Sequence, residues 1–195
     1  MADTPSPLAV WESFYLLIGT AAAALTGLQF VVIAFIGQER AEAAVGLREE
    51  TLAAFGTPTV VHFGSALLLS ALLSAPWPSL EAAGLTVALT GLAGLVYAAI
   101  VVRRTRRQRG YRPVLEDWIW HAILPVVAYL MAVVAGLSTV RHHPEAGMFS
   151  LAAGTLLLLF IGIHNAWDTA SYVAVQRTRE RQPQPMPGES DASAA

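Results

Sequence analysis

Five ionisable residues set in otherwise apolar surroundings are the candidates for chemistry: His62, the pair Asp117 and His121, and the pair His164 and Asp168. Each pair is four residues apart, a spacing that puts carboxylate and imidazole on one face of a helix. An acidic or basic side chain at the middle of a membrane helix costs about 2.5–3.5 kcal/mol on insertion scales, so each one needs a partner or a role. Three imidazoles and two carboxylates make a nitrogen and oxygen donor set suited to zinc, iron or manganese. Glu116, Gln29, Ser65 and Asn165 would support those donors from behind. The chain has no cysteine, so thiolate metal sites and disulfides are excluded.

Three readings of this set follow from its chemistry. The plainest is a structural network in which Asp and His bond one another and lock helices together, with Glu116 and Asp117 favoured by the positive end of their helix. The second is a divalent metal centre, whose bound water would attack a lipid-derived ester or amide with a free carboxylate or Ser65 assisting. The third is a proton-coupled or small-ligand site, since His and Asp facing a cavity are typical of relays. Full transport is disfavoured, because the helices beyond the cluster offer only scattered Ser and Thr and there is no internal repeat.

The elements that must position these residues are membrane helices. Of 195 residues, 55% are hydrophobic and 13% charged, about half the charged share of soluble domains. The apolar residues arrive in runs of about twenty, the length a helix needs to cross the hydrocarbon. The expected fold is all-α, a bundle of five transmembrane helices at about 14–37, 58–75, 82–102, 114–140 and 147–175. Residues 1–13 form a short segment without Lys or Arg, unlike the basic start of a signal peptide. Residues 176–195 form a polar tail expected to be disordered.

Thr57-Pro58 reads as a cap and first-turn proline opening the second span. Pro76-Trp77-Pro78 closes it, Ser79 caps the third helix, and Pro113 opens the fourth. His142 and His143 fall in a turn outside the spans, where the expectation is solvation. Trp11, Tyr15 and Trp77 at one interface, with Trp118, Trp120, Trp167 and Tyr172 at the other, read as anchors.

All twelve basic residues are arginine, and six of them lie between Arg103 and Arg112. Placing that loop in the cytoplasm by the positive-inside rule puts Arg40, Arg48, Arg177, Arg179 and Arg181 there too, leaving Arg141 alone outside. The N-terminus is then outside and the C-terminus cytoplasmic, in a cell (inner) membrane. All five candidate residues come to one depth, near the inner face. The arginine loop would meet anionic headgroups; with no aromatic interleaving it points to no specific nucleic acid. Residues 38–56 read as a solvated helical connector, with an amphipathic docking helix as the sharper alternative.

Close approach of small residues must hold such a bundle together. Gly19, Ala23 and Gly27, then Ala128, Ala132 and Gly136, recur every four residues, and Gly84, Ala88, Gly91 and Gly94 add a third stripe. Such stripes also serve homo-oligomers or contacts with another membrane protein. The segment from Gly19 to Val31, GTAAAALTGLQFV, resembles the first helix of uncharacterised small bacterial polytopic membrane proteins, a resemblance that implies the fold and no activity. A looser resemblance is to alkaline-ceramidase-like membrane hydrolases, which use histidines, an aspartate and a serine around zinc; it implies comparing Ser65, His62, Asp117, His121 and His164. The chain departs from them in having five spans rather than seven, and His164 with Asp168 where paired histidines are expected. The functional expectation is a structural, interaction or regulatory membrane protein, with a metal-dependent lipid hydrolase or a proton-coupled or small-ligand binding protein as alternatives.

Overall fold

Backbone groups in lipid have no water to bond, so long apolar runs fold as helices that satisfy their own N–H and C=O groups. The computed structural model describes residues 7–43, 49–107, 115–141 and 144–181, and every element among them is helical. In order these are α1 (Pro7–Ala43), α2 (Glu49–Leu73), α3 (Leu80–Arg107), α4 (Leu115–Trp118), a π-helical turn (Ile119–Ile123), α5 (Leu124–Val140) and α6 (Pro144–Arg181). Four stretches are long and apolar enough to cross a membrane: Leu8–Ala34, Leu80–Arg104, Ile119–Val140 and Pro144–Ser171. Thr57–Leu73 is a shorter apolar helix.

The large apolar side chains face outward. Leu85, Leu89, Leu92, Val96 and Ile100 form an exposed ridge along α3, and Leu16, Leu17, Leu28 and Phe30 are exposed on α1. The interior mixes alanines, with Ala22, Ala66, Ala128, Ala132 and Ala135 buried, and a few large side chains, Tyr15, Phe63, Leu69, Tyr129, Leu158 and Ile161. An exposed apolar surface of this extent would not stay dissolved in water. Apolar bulk on the outside, with small residues where helices approach closely, suits a multi-pass membrane protein.

Helix α5 lies between α3 and α6, α2 lies between α1 and α6, and α2 touches α3 only lightly. The small-residue stripes explain the α3–α5 contact. A β-carbon on Gly84 would fall 2.8 Å from the Gly136 carbonyl oxygen, and one on Gly91 would fall 2.9 Å from that of Tyr129. Gly94 leaves room for the Tyr129 ring, and Gly162 on α6 leaves room for the Phe63 ring of α2. The α1 stripe behaves differently. Gly19 packs against Ser70, whereas Ala23 is exposed and Gly27 has nothing within 4 Å.

Other boundaries differ from the sequence reading for identifiable reasons. Pro58 does not open a helix; it lies inside α2, which begins at Glu49. The residues before it carry the helix on, although proline there removes one backbone bond and crowds the preceding turn. Helix α1 begins at Pro7 rather than near residue 14, because Leu8, Ala9, Val10 and Trp11 extend the apolar run and the span reaches back to Leu8. Tyr15, expected at an interface, is 1% exposed and packs beside Trp11 and Phe14. Ser79 does cap α3, accepting the Ala82 N–H at 3.2 Å. Pro113 and the rest of 108–114, together with Arg48, His142, His143 and the tail from residue 182, lie outside the described residues.

Candidate functional site

Contacts between neighbouring helices fix which residues share a level. The Trp120 ring stacks on His164 with centroids 3.7 Å apart and planes 13° from parallel. Phe63 covers Gly162, and Gly19 meets Ser70. Stepping along antiparallel helices at about 1.5 Å per residue from these contacts brings Gln29, His62, His121, His164 and Asn165 to one level within about a turn. That level lies toward the end of the bundle where α3 carries Arg103, Arg104 and Arg106. The Arg106 guanidinium sits over the Trp118 ring at 5.4 Å, tying the end of α3 to α4.

The π turn puts His121 there. Within it the backbone bond from Leu124 returns five residues, to the Ile119 carbonyl, one residue wider than an α-turn. Pro125 follows immediately and has no N–H to offer the turn before it. The interrupted ladder is where Trp120 and His121 enter the bundle. The sequence signal for this turn was a lone proline inside an apolar run.

His62 is 2% exposed, and its Nδ1 lies 3.3 Å from the Tyr129 hydroxyl. That hydroxyl is also 2.9 Å from Ser65 Oγ, which donates to the Val61 carbonyl at 2.8 Å. The buried Nδ1 of His121 has no hydrogen-bond partner. His164 Nε2 lies 3.1 Å from Asp168 Oδ2. The distance is that of an ion pair, but the N–H is not aligned with the carboxylate and Nε2 makes no hydrogen bond. Asp168 is half exposed, so this i,i+4 contact contributes little stability.

Asn165 is 2% exposed with both side-chain polar atoms unpartnered, and Gln29, at 4%, has an unpartnered Nε2. The i,i+4 spacing of His164 and Asp168 therefore yields the expected proximity. The side chain of Asp117 lies outside the described residues, and Glu116 is exposed. Among the described residues, no three His, Asp or Glu groups come close enough together to hold a metal ion. Ser65 reaches His62 only through Tyr129, while Gln29 Nε2 and both amide atoms of Asn165 make no hydrogen bond to a histidine.

Tyr129 is the residue that sequence reasoning missed. A phenol in the middle of an apolar span reads as bulk, yet its hydroxyl has no water there and must find a partner. Trp120, expected as an interfacial anchor, stacks its ring on His164. Most hydroxyls elsewhere in the spans bond their own helices: Thr26 to Ala22, Thr86 to Ala82, Thr90 to Thr86 and Thr155 to Leu151. Compared with protein-family models, curated proteins and solved structures, the chain matches none.

Proposed function

We propose that the chain is an inner-membrane protein of five crossings, with its N-terminus outside and its C-terminus cytoplasmic, that binds a small polar ligand in the histidine layer near its cytoplasmic face. The observation behind this reading is a group of buried polar atoms without hydrogen-bond partners at one level: His121 Nδ1, both amide atoms of Asn165, and Gln29 Nε2. Each unmet buried group costs about 1–3 kcal/mol. Buried polar atoms are normally completed by a water, an ion or a ligand. A network serving only to lock helices would have paired these atoms with one another.

Hydrolysis has less support. Ser65 sends its proton to a backbone carbonyl, and the imidazole of His62 contacts Tyr129 rather than the serine. A nucleophile needs its base within hydrogen-bond reach. A divalent metal is the alternative occupant of the layer, with His62, Asp117, His121, His164 and Asp168 as its donors.

The test is native mass spectrometry and metal analysis of protein extracted in mild detergent without added metal. Wild type should carry a stoichiometric extra mass that leaves on denaturation and is missing from folded His121→Ala and Asn165→Leu. Stoichiometric metal lost in His121→Ala and His164→Ala would replace the ligand by an ion. Bare, metal-free, folded wild type would sink the reading and leave a structural network.

A further inference from the structure

We infer that Ser65 and Tyr129 are positioning residues that hold His62 as its Nδ1–H tautomer, so that the imidazole presents Nε2 as a hydrogen-bond acceptor. The inference deepens the ligand-binding reading of the same layer, and a ligand suited to His62 would be one that donates, through a hydroxyl or an ammonium group.

The argument follows the protons. A serine hydroxyl has one proton, and that of Ser65 goes to the Val61 carbonyl at 2.8 Å. In its 2.9 Å contact with Tyr129, Ser65 Oγ must therefore accept, and the phenol must donate its own single proton. The Tyr129 oxygen then has only lone pairs to offer His62 Nδ1 at 3.3 Å, so Nδ1 carries the hydrogen. In a neutral ring the other nitrogen is left bare. Free imidazole side chains in water favour the opposite tautomer. Water does not compete with this chain, since His62 and Tyr129 are 2% and 1% exposed. Three hydroxyl and ring groups on α2 and α5 thus form a directed relay starting from a backbone carbonyl.

The inference is tested by ¹⁵N spectroscopy of the full chain, labelled at histidine, in lipid nanodiscs near neutral pH. The His62 signals are identified by their loss in His62→Gln. Wild type should show a protonated Nδ1 and a bare Nε2. In Ser65→Ala the phenol loses its acceptor, its proton turns to His62, and the tautomer should invert. In Tyr129→Phe the ring should revert to Nε2–H. A role confined to packing would move none of these signals.

A wild-type His62 protonated at Nε2, or at both nitrogens, overturns the inference, and that measurement needs no variant to fold. So does a Ser65→Ala protein that keeps Nδ1–H. Because the tautomer is read from the ring nitrogens of His62 whether or not a ligand is bound, a failure here is distinct from the absence of a bound mass in the extraction experiment.

Discussion

Placing a methyl group at Gly94 should damage a site more than a helix away from it in sequence. A β-carbon there would occupy the position of the Tyr129 ring, so Gly94→Ala forces the ring to shift. Overpacking of this kind costs about 1–3 kcal/mol. The ring carries the hydroxyl that touches Ser65 and His62, and losing those two bonds adds about 0.5–1.5 kcal/mol each. Against this, alanine is favoured over glycine in a helix by up to about 1 kcal/mol. The net loss is about 1–6 kcal/mol. Gly27→Ala is the matched control, because a β-carbon there meets nothing within 4 Å, leaving it neutral or slightly stabilising. Reversible unfolding in mixed detergent micelles, followed by loss of helical circular dichroism, should separate the two variants by at least about 2 kcal/mol. Equal stabilities would refute the packing argument and with it the coupling of α3 to the histidine layer.

Asn165→Leu replaces an amide whose two polar atoms have no partner. In ligand-stripped protein it should stabilise the fold by about 1–3 kcal/mol in thermal melts; a destabilised variant would mean that the amide is satisfied within the protein. The absence of cysteine makes topology directly measurable. An impermeant maleimide should label Glu145→Cys in intact spheroplasts and Arg103→Cys only after lysis, and the reverse pattern would invert the proposed orientation.

The apolar runs announce the helices because burial in lipid demands about twenty such residues whatever the tertiary fold. The level shared by His62, His121 and His164 was legible for the same reason, since helix direction and rise convert sequence position into depth. The pairing of His164 with Asp168 followed from spacing alone. What spacing could not show is rotation. Whether Gly27 faces a neighbour or lipid depends on how α1 is turned against α2, and the sequence carries the same small stripe in either case. Tyr129 was hidden because a phenol counts as bulk until its hydroxyl is followed to a partner. The π turn was hidden because one extra residue per turn leaves no mark on hydropathy; only Pro125 hints at it.

The placement of α3 bears on how the chain assembles during synthesis. Helices α1 and α2 can associate as soon as both have left the ribosome, but α3 barely meets α2 and finds its main surface on α5. It therefore waits in the bilayer, its glycine face unmatched, while some thirty further residues are translated. That interval is tolerable because Thr86 and Thr90 direct their hydroxyls to carbonyls of their own helix at 2.9 Å, so the stranded segment shows lipid few unsatisfied groups. Arrival of Ala132 and Gly136 then ends the wait. The glycines of α3 are in this sense a late docking signal, and lesions in them should leave insertion intact while exposing the protein to membrane quality-control proteases.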